Sequence, residues 1–93
     1  MHEAAVTSRD ATVVNPLGLH ARAAARFVRL AGRFASQIRV TRGARTMDGK
    51  SILGLLLLAA ARGSVLTIAA EGRDEVEAVA ALCDLVGRGF EDA

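Results

Sequence analysis

The sequence of 93 residues has few aromatic side chains and a single cysteine. It contains three phenylalanines, no tyrosine and no tryptophan. Proteins that bind single-stranded nucleic acid or RNA commonly stack bases on aromatic side chains, so this shortage argues against a nucleic-acid partner. The lone cysteine, Cys83, cannot form an internal disulfide, which is typical of a protein from a reducing compartment.

Long apolar runs and a large excess of one charge are also missing. The longest apolar stretch, 52–61, contains Gly54 and is too short to cross a bilayer. The formal net charge is only +2, and the first ten residues do not have the pattern of a signal peptide. We therefore expect a cytoplasmic, monomeric protein without membrane insertion. It forms one domain, 1–93, with an ordered core of about 10–90, because a hydrophobic content of 52% is ample for a single core.

The hydrophobic pattern predicts strands and helices in the order βαββαβα. β-branched and alternating segments indicate the strands, and apolar residues at helical spacing indicate the helices. The predicted strands are 11–14, 37–41, 45–47 and 65–70, and the predicted helices are 21–34, 51–61 and 74–86. Gly63 is expected to close the second helix, and Asp74 with Glu77 to form a capping box for the third. This order favours an α+β fold, an open-faced β-sandwich in which three helices cover one face of a four-stranded antiparallel sheet.

A histidine stands at the predicted start of the first helix. The stretch Asn15–Phe27 reads NPLGLHARAAARF, in which Pro16 and Gly18 end the preceding strand and Arg22 follows His20 by two residues. A helix N-terminus presents unpaired backbone N–H groups and a partial positive charge, so it attracts anions. These features and a nearby guanidinium disfavour an imidazolium, which leaves a ring nitrogen available as a nucleophile. We predict that His20 accepts a phosphoryl group that Arg22 stabilises.

The sequence Gly-Leu-His-Ala-Arg at 18–22, opening an alanine-rich helix, resembles the histidine-containing phosphocarrier (HPr) family of the bacterial phosphotransferase system. The resemblance covers nearly the whole chain and implies the same open-faced sandwich. It implies that His20 accepts the phosphoryl group on its pros nitrogen, Nδ1, from phosphorylated enzyme I and passes it to a histidine of an enzyme IIA-type domain. Such a carrier is a co-substrate of its partners and no enzyme, and it needs neither metal nor cofactor. The phosphate contacts are expected from Gly18, Ala21, Arg22 and Ala23.

Other functions stay open at this point. Ala23 stands where the family usually has proline, which leaves the choice between the sugar branch and the nitrogen-related branch undecided. One alternative is a regulatory adaptor of a nitrogen-type system that uses the same surface. A less favoured alternative is a small acylphosphatase-like enzyme, whose catalytic asparagine could only be Asn15.

Ser51 lies at the predicted start of the second helix, in the sequence Gly-Lys-Ser-Ile-Leu-Gly. The resemblance implies regulatory phosphorylation of Ser51 by a serine kinase/phosphorylase, although a serine there is also an ordinary N-cap. Charged and apolar side chains near His20 are expected to form a weak docking interface, although charge stripes are often simply solvated. The candidate interface residues are Leu19, Arg26, Arg29, Lys50, Ile52 and Leu55.

Overall fold

A computed structural model describes residues 6–92 and contains the seven predicted elements in the predicted order. A short C-terminal turn, Gly89–Asp92, follows them. The elements are β1 (Val6–Thr12), α1 (Ala21–Ala31), β2 (Gln37–Arg42), β3 (Arg45–Asp48), α2 (Ile52–Leu57), β4 (Val65–Glu71) and α3 (Glu75–Gly87).

The four strands form one antiparallel sheet in the order β1-β4-β2-β3. Buried and more exposed residues alternate along β2 and β4, because successive side chains of a strand point to opposite faces. On one face Ile38, Val40, Leu66 and Ile68 are almost completely buried. The opposite face carries polar side chains such as Arg39, as an open-faced sandwich requires. The predicted fold class is confirmed.

The core lies between that sheet face and the helices. Its largest fully buried side chains include Phe27 of α1, Leu55 of α2, Leu82 of α3 and Phe90 of the C-terminal turn. Each helix therefore contributes to the same core, and α1 and α2 also pack on each other. The loop before α1 lies against the connection between α2 and β4, where the N–H of Leu19 donates to the carbonyl of Ala60 at 2.8 Å.

Two helices end earlier than the sequence predicts. The first ends at Ala31 and not at Phe34, and the second ends at Leu57 and not at Ala61. The predicted cap at Gly63 is wrong, since the chain already leaves the helix at Ala59, whose φ is +49°. Strand β1, in contrast, begins at Val6, because antiparallel pairing with β4 along seven residues outweighs its weakly apolar sequence.

The predicted capping box at the start of α3 is also wrong. Asp74 is the N-cap residue, but its carboxylate accepts no hydrogen bond from its own helix. It accepts hydrogen bonds from the backbone N–H groups of Ala35 and Ser36 at 2.8 and 2.9 Å, and from the Ser36 hydroxyl at 2.5 Å. Asp74 thus ties the loop after α1 to the start of α3.

Candidate functional site

His20 is the N-cap residue of α1. Its backbone is extended, with φ −86° and ψ −176°, and its carbonyl accepts the first helical hydrogen bond, from Ala24, at 2.8 Å. The backbone N–H of Arg22 donates to Nδ1 of His20 at 3.2 Å, so Nδ1 acts as the capping acceptor. The other ring nitrogen, Nε2, is buried and meets no hydrogen-bond partner among residues 6–92. The two ring nitrogens therefore occupy different environments, and the lone pair of Nδ1 points toward the helix terminus.

The first turn of α1 has the features of an anion site. The N–H groups of Ala21, Arg22 and Ala23 precede the first bond of the i to i−4 pattern, which runs from Ala24 to His20. No acidic side chain lies in this turn. The Arg22 side chain is exposed, and its guanidinium makes no hydrogen bond or ion pair within the described part of the chain. A cation beside the positive end of a helix is unfavourable by itself, whereas an anion bound there would be attracted by both the cation and the helix terminus.

Gly18 shapes the loop that leads into His20. Its φ is +69°, and a Cβ at this position would lie 2.5 Å from the carbonyl oxygen of Ala60. The neighbouring N–H of Leu19 donates to that same oxygen at 2.8 Å. Glycine is therefore required here both for its backbone conformation and for the close approach of two chain segments.

Ser51 is the N-cap residue of α2, and its Oγ accepts a hydrogen bond from the N–H of Gly54 at 3.0 Å. The predicted capping role of this serine is confirmed. The adjacent Lys50 is exposed, and its Nζ donates to the carbonyl of Phe34 at 2.8 Å, beyond the end of α1. The start of α2 is thus linked to the C-terminal side of α1.

The structure corrects part of the predicted interface. Leu55 is completely buried and Leu19 is 5% exposed, so both belong to the core and cannot form the apolar centre of a docking surface. Arg26 is half-buried, and its Nη1 donates to the carbonyls of Phe90 and Glu91, which ties α1 to the C-terminal turn.

The remaining predicted interface residues, Arg29, Lys50 and Ile52, are exposed. The sequence reasoning missed three further exposed apolar residues, Leu17, Leu53 and Leu57, whose exposed fractions are 75%, 68% and 50%. Leu53 and Leu57 were missed because α2 is apolar on all sides, and its pattern alone does not tell which face packs on the core. Leu17 lies in the turn before His20, where no helical or strand periodicity indicates which side chains are exposed.

A shallow cleft of about 490 Å³ lies along α1, away from the loop before His20. It is lined by Arg26, Arg29, Leu30, Arg33, Leu85 and Glu91. Within residues 6–92 no group of three or more His, Cys, Asp or Glu side chains could hold a metal ion. No helix in the same range is long and apolar enough to span a membrane.

A protein-family model described as "PTS HPr component phosphorylation site" matches residues 7–88, almost the entire chain. The chain belongs to the HPr family. The matched range contains both helix starts, with His20 and Ser51 as their N-cap residues. The family resemblance carried by 18–22 is thereby confirmed.

Curated relatives and solved structures agree with this membership. The phosphocarrier protein HPr of Cupriavidus necator is 49% identical over 82 residues, which are 88% of this chain and 92% of the relative. The phosphocarrier protein NPr of Shewanella violacea is 39% identical over 85 residues, which are 91% of this chain and 93% of the relative. The crystal structure of HPr-C-His from Thermoanaerobacter tengcongensis superposes with a TM-score of 0.88 at 40% identity, covering 94% of this chain and 98% of that one. The HPr relatives thus share both fold and sequence with this chain.

Proposed function

We propose that this chain is a phosphocarrier of the phosphotransferase system and that Nδ1 of His20 is the atom that carries the phosphoryl group. In the accepting step, the Nδ1 lone pair forms a P–N bond while the P–N bond to a histidine of phosphorylated enzyme I breaks. The electron pair of the broken bond returns to the donor imidazole. In the second step a histidine of an enzyme IIA-type domain attacks the same phosphorus, and His20 is regenerated.

The difference between the two ring nitrogens carries this proposal. Nδ1 is part of an exposed hydrogen bond with the N–H of Arg22, whereas Nε2 is buried. A phosphoryl donor can therefore approach Nδ1 but not Nε2. Because Nδ1 accepts a hydrogen bond, it holds a lone pair, and the ring proton of a neutral imidazole is on Nε2.

The helix start then supplies the charge stabilisation that phosphoryl transfer needs. Positioning and electrostatics account for most of this chemistry, since the protein need not make or break other bonds. The N–H groups of the first turn and the guanidinium of Arg22 are the donors available to the phosphoryl oxygens. Ala23 retains a backbone N–H that a proline would lack, so this turn has one donor more than the usual family sequence.

Incubation with phosphoenolpyruvate and enzyme I, followed by intact-protein mass spectrometry, tests the proposal. The native chain should gain one acid-labile phosphoryl group, and His20→Ala should gain none. Ser51→Ala is the matched control, because it also removes an N-cap acceptor but leaves His20 in place. Nitrogen-15 NMR of the phosphorylated chain should identify Nδ1 as the bonded atom. Phosphorylation of His20→Ala, or a bond to Nε2, would refute the assignment.

In this role the chain is a co-substrate of enzyme I and of an enzyme IIA-type domain, and it has no catalytic activity of its own. The docking surface consists of the exposed Leu17 before α1 and the exposed Ile52 and Leu53 at the start of α2 for apolar contact, with Arg29 in the last turn of α1 for acidic partners. An acylphosphatase activity is not favoured, because the amide of Asn15 is buried and donates to the Gly18 carbonyl at 2.8 Å.

Ser51 is proposed as a regulatory site for a serine kinase/phosphorylase. A phosphoserine at this N-cap would add nearly two negative charges beside the exposed Ile52 and Leu53. That charge would weaken apolar docking without touching His20. Incubation with such a kinase and ATP should add a phosphoryl group to the native chain and not to Ser51→Ala.

A regulatory adaptor of a nitrogen-type system is the second candidate. Ala23 in place of the usual family proline favours it, and its output would be partner binding that depends on the phosphorylation state of His20. A pull-down with the phosphorylated and unphosphorylated chain would distinguish this output from simple transfer.

A further inference from the structure

Ala59 adopts a left-handed backbone although it has a side chain. Its φ is +49°, in a region where the Cβ atom is crowded by the backbone. The other non-glycine residues with positive φ in the described range, Phe90 and Glu91, lie in the C-terminal turn. Such a conformation persists only where the surrounding structure holds it, and it is enriched at functional sites.

The end of α2 is held on the side that precedes Ala59. The carbonyl of Leu57 accepts a hydrogen bond from Nη1 of Arg45 at 2.8 Å. The carbonyl of Leu58 accepts one from Nη1 of Arg42 at 3.2 Å. Both arginines belong to the β2–β3 hairpin, so a distant part of the fold binds the carbonyls of Leu57 and Leu58, while the carbonyl of Leu56 accepts the N–H of Ala59 at 3.1 Å.

On the side that follows, the left-handed turn directs Ala60 toward the loop before His20. Ala60 is 4% exposed, and its carbonyl oxygen accepts the N–H of Leu19 at 2.8 Å. Gly18 lies against the same oxygen so closely that a Cβ there would be 2.5 Å away. The loop before His20 therefore packs against the peptide of Ala60 and is hydrogen-bonded to it.

Two backbone hydrogen bonds stay within this loop. Gly18 donates to the carbonyl of Asn15 at 3.1 Å, and the N–H of His20 donates to the carbonyl of Gly18 at 2.9 Å. The backbone hydrogen bond from Leu19 to Ala60, in contrast, joins this loop to another part of the described chain. It lies one residue before His20.

We propose that Ala59 is a positioning residue for phosphoryl transfer: its left-handed turn aims the Ala60 carbonyl at the Leu19 N–H and thereby fixes the peptide that enters His20. The inference rests on the proposed role of His20. Transfer requires an in-line approach to Nδ1, and a displacement of about 1 Å at a reacting centre can cost about a hundredfold in rate. A contact one residue from the acceptor is therefore placed to affect the rate without affecting docking.

Two substitutions at Ala59 separate its backbone from its side chain. Ala59→Val disfavours positive φ because its Cβ is branched, whereas Ala59→Asn places a larger side chain at a position where asparagine tolerates the left-handed region. Gly43→Val is the matched control for strain. Gly43 has φ +58° and no atom within 4 Å of an added Cβ, and it lies in the β2–β3 turn.

The first measurement is hydrogen exchange of the Leu19 amide by NMR. Ala59→Val should lower the protection of this amide by about tenfold or more relative to Gly43→Val, while Ala59→Asn should keep it. The second measurement is steady-state phosphorylation by enzyme I. Ala59→Val should lower kcat by about tenfold with KM unchanged within about twofold, and Ala59→Asn and Gly43→Val should retain the native kcat.

Equal Leu19 protection and equal kcat in Ala59→Val and Gly43→Val would overturn the inference, since Ala59 would then be an ordinary helix end. A loss in Ala59→Asn as large as in Ala59→Val would overturn it too, because the exposed side chain and not the backbone would then matter. If Ala59→Val does not fold, Ala59→Leu supplies the same comparison at a lower steric cost. The exchange measurement needs no phosphoryl transfer, so it judges Ala59 even if His20 of the native chain proves not to be the acceptor.

Discussion

The starts of α1 and α2 share one capping geometry but differ in what surrounds it. In each, the N-cap side chain accepts a backbone N–H from its own first turn, at 3.2 Å for His20 and 3.0 Å for Ser51. The first turn of α1 contains Arg22, whose guanidinium is exposed and unpaired within residues 6–92. The first turn of α2 contains only Ile52, Leu53 and Gly54.

Under the proposed function, this difference would separate the phosphoryl acceptor from a structural cap. Imidazole offers a nucleophilic lone pair at neutral pH, and the first turn of α1 adds backbone donors and a cation for the incoming charge. A serine hydroxyl is a poor nucleophile without an adjacent base, and the Oγ of Ser51 accepts the N–H of Gly54. Under the proposed function, phosphorylation of Ser51 would therefore depend on a separate kinase, whereas His20 would need only a phosphorylated donor.

Of the substitutions considered, Gly18→Ala in the loop before α1 should have the largest effect on stability. Gly18→Ala places a Cβ 2.5 Å from the Ala60 carbonyl and a side chain at positive φ. We expect a loss of about 2–4 kcal/mol in the free energy of unfolding, measured by urea denaturation. Gly43→Ala, at a positive φ with open space around it, is the control and should lose only about 1 kcal/mol. Equal losses would show that the contact between the loop and Ala60 is unimportant for stability.

Arg22→Gln tests the cation that distinguishes the two helix starts. Removing one preorganised charge from the site should lower the rate of phosphoryl acceptance by about tenfold to a hundredfold, measured in rapid-quench experiments with phosphorylated enzyme I. The melting temperature should stay the same or rise slightly, because a cation is unfavourable at a helix N-terminus. Arg33→Gln, an exposed change beyond the end of α1, should leave the rate unaffected. A large drop in both variants would point to overall charge and not to this site.

Local sequence signals predicted the helix starts but not the long-range contacts that support them. Pro16, Gly18 and Ser51 have residue types that mark turns and caps, so the positions of both starts followed from the sequence alone. Nothing in the alanines at 59–61 indicates a left-handed turn or a contact with Leu19, since that contact joins segments about forty residues apart.

The same limit explains the errors in the predicted interface and in the predicted capping box. Leu55 lies in a helix that is apolar all round, so its burial depends on how α2 packs. Asp74 has the sequence context of a helix cap, yet its carboxylate is used by Ser36, which is 38 residues away. Tertiary hydrogen bonds of this kind override local propensity and leave no local pattern.

Ser51→Ala tests the N-cap at the start of α2. Loss of the hydroxyl that caps Gly54 should lower the free energy of unfolding by about 1 kcal/mol, measured by thermal or urea denaturation, and leave phosphorylation of His20 intact. Ser8→Ala, on an exposed position of β1, should change stability by less than about 0.5 kcal/mol. Ser51→Asp keeps a capping acceptor but adds charge, so it should retain stability and raise KM for enzyme I. A reduced rate in Ser51→Ala would mean that the two helix starts are not independent.

At the start of α3, the N-cap side chain of Asp74 binds another part of the fold and not its own helix. Substitution of Asp74 should have the smallest effect among these tests. The Ser36 hydroxyl and the N–H groups of Ala35 and Ser36 bind the ionised carboxylate of Asp74 and lower its pKa below the ordinary value of 3.8. Because the pKa is lower in the folded state, ionisation of Asp74 stabilises the fold fully above the pKa of the unfolded chain, about 3.9, and this stabilisation is lost as the pH falls through the folded pKa.

Calorimetry from pH 7 to pH 2.5 should therefore show a difference in melting temperature between the native chain and Asp74→Asn that is constant near neutrality and shrinks below about pH 4. Asp84→Asn, which removes an exposed carboxylate paired with Arg88, should show a smaller dependence on pH. A difference that persists unchanged to pH 2.5 would mean that the amide, and not the loss of charge, is responsible for the destabilisation.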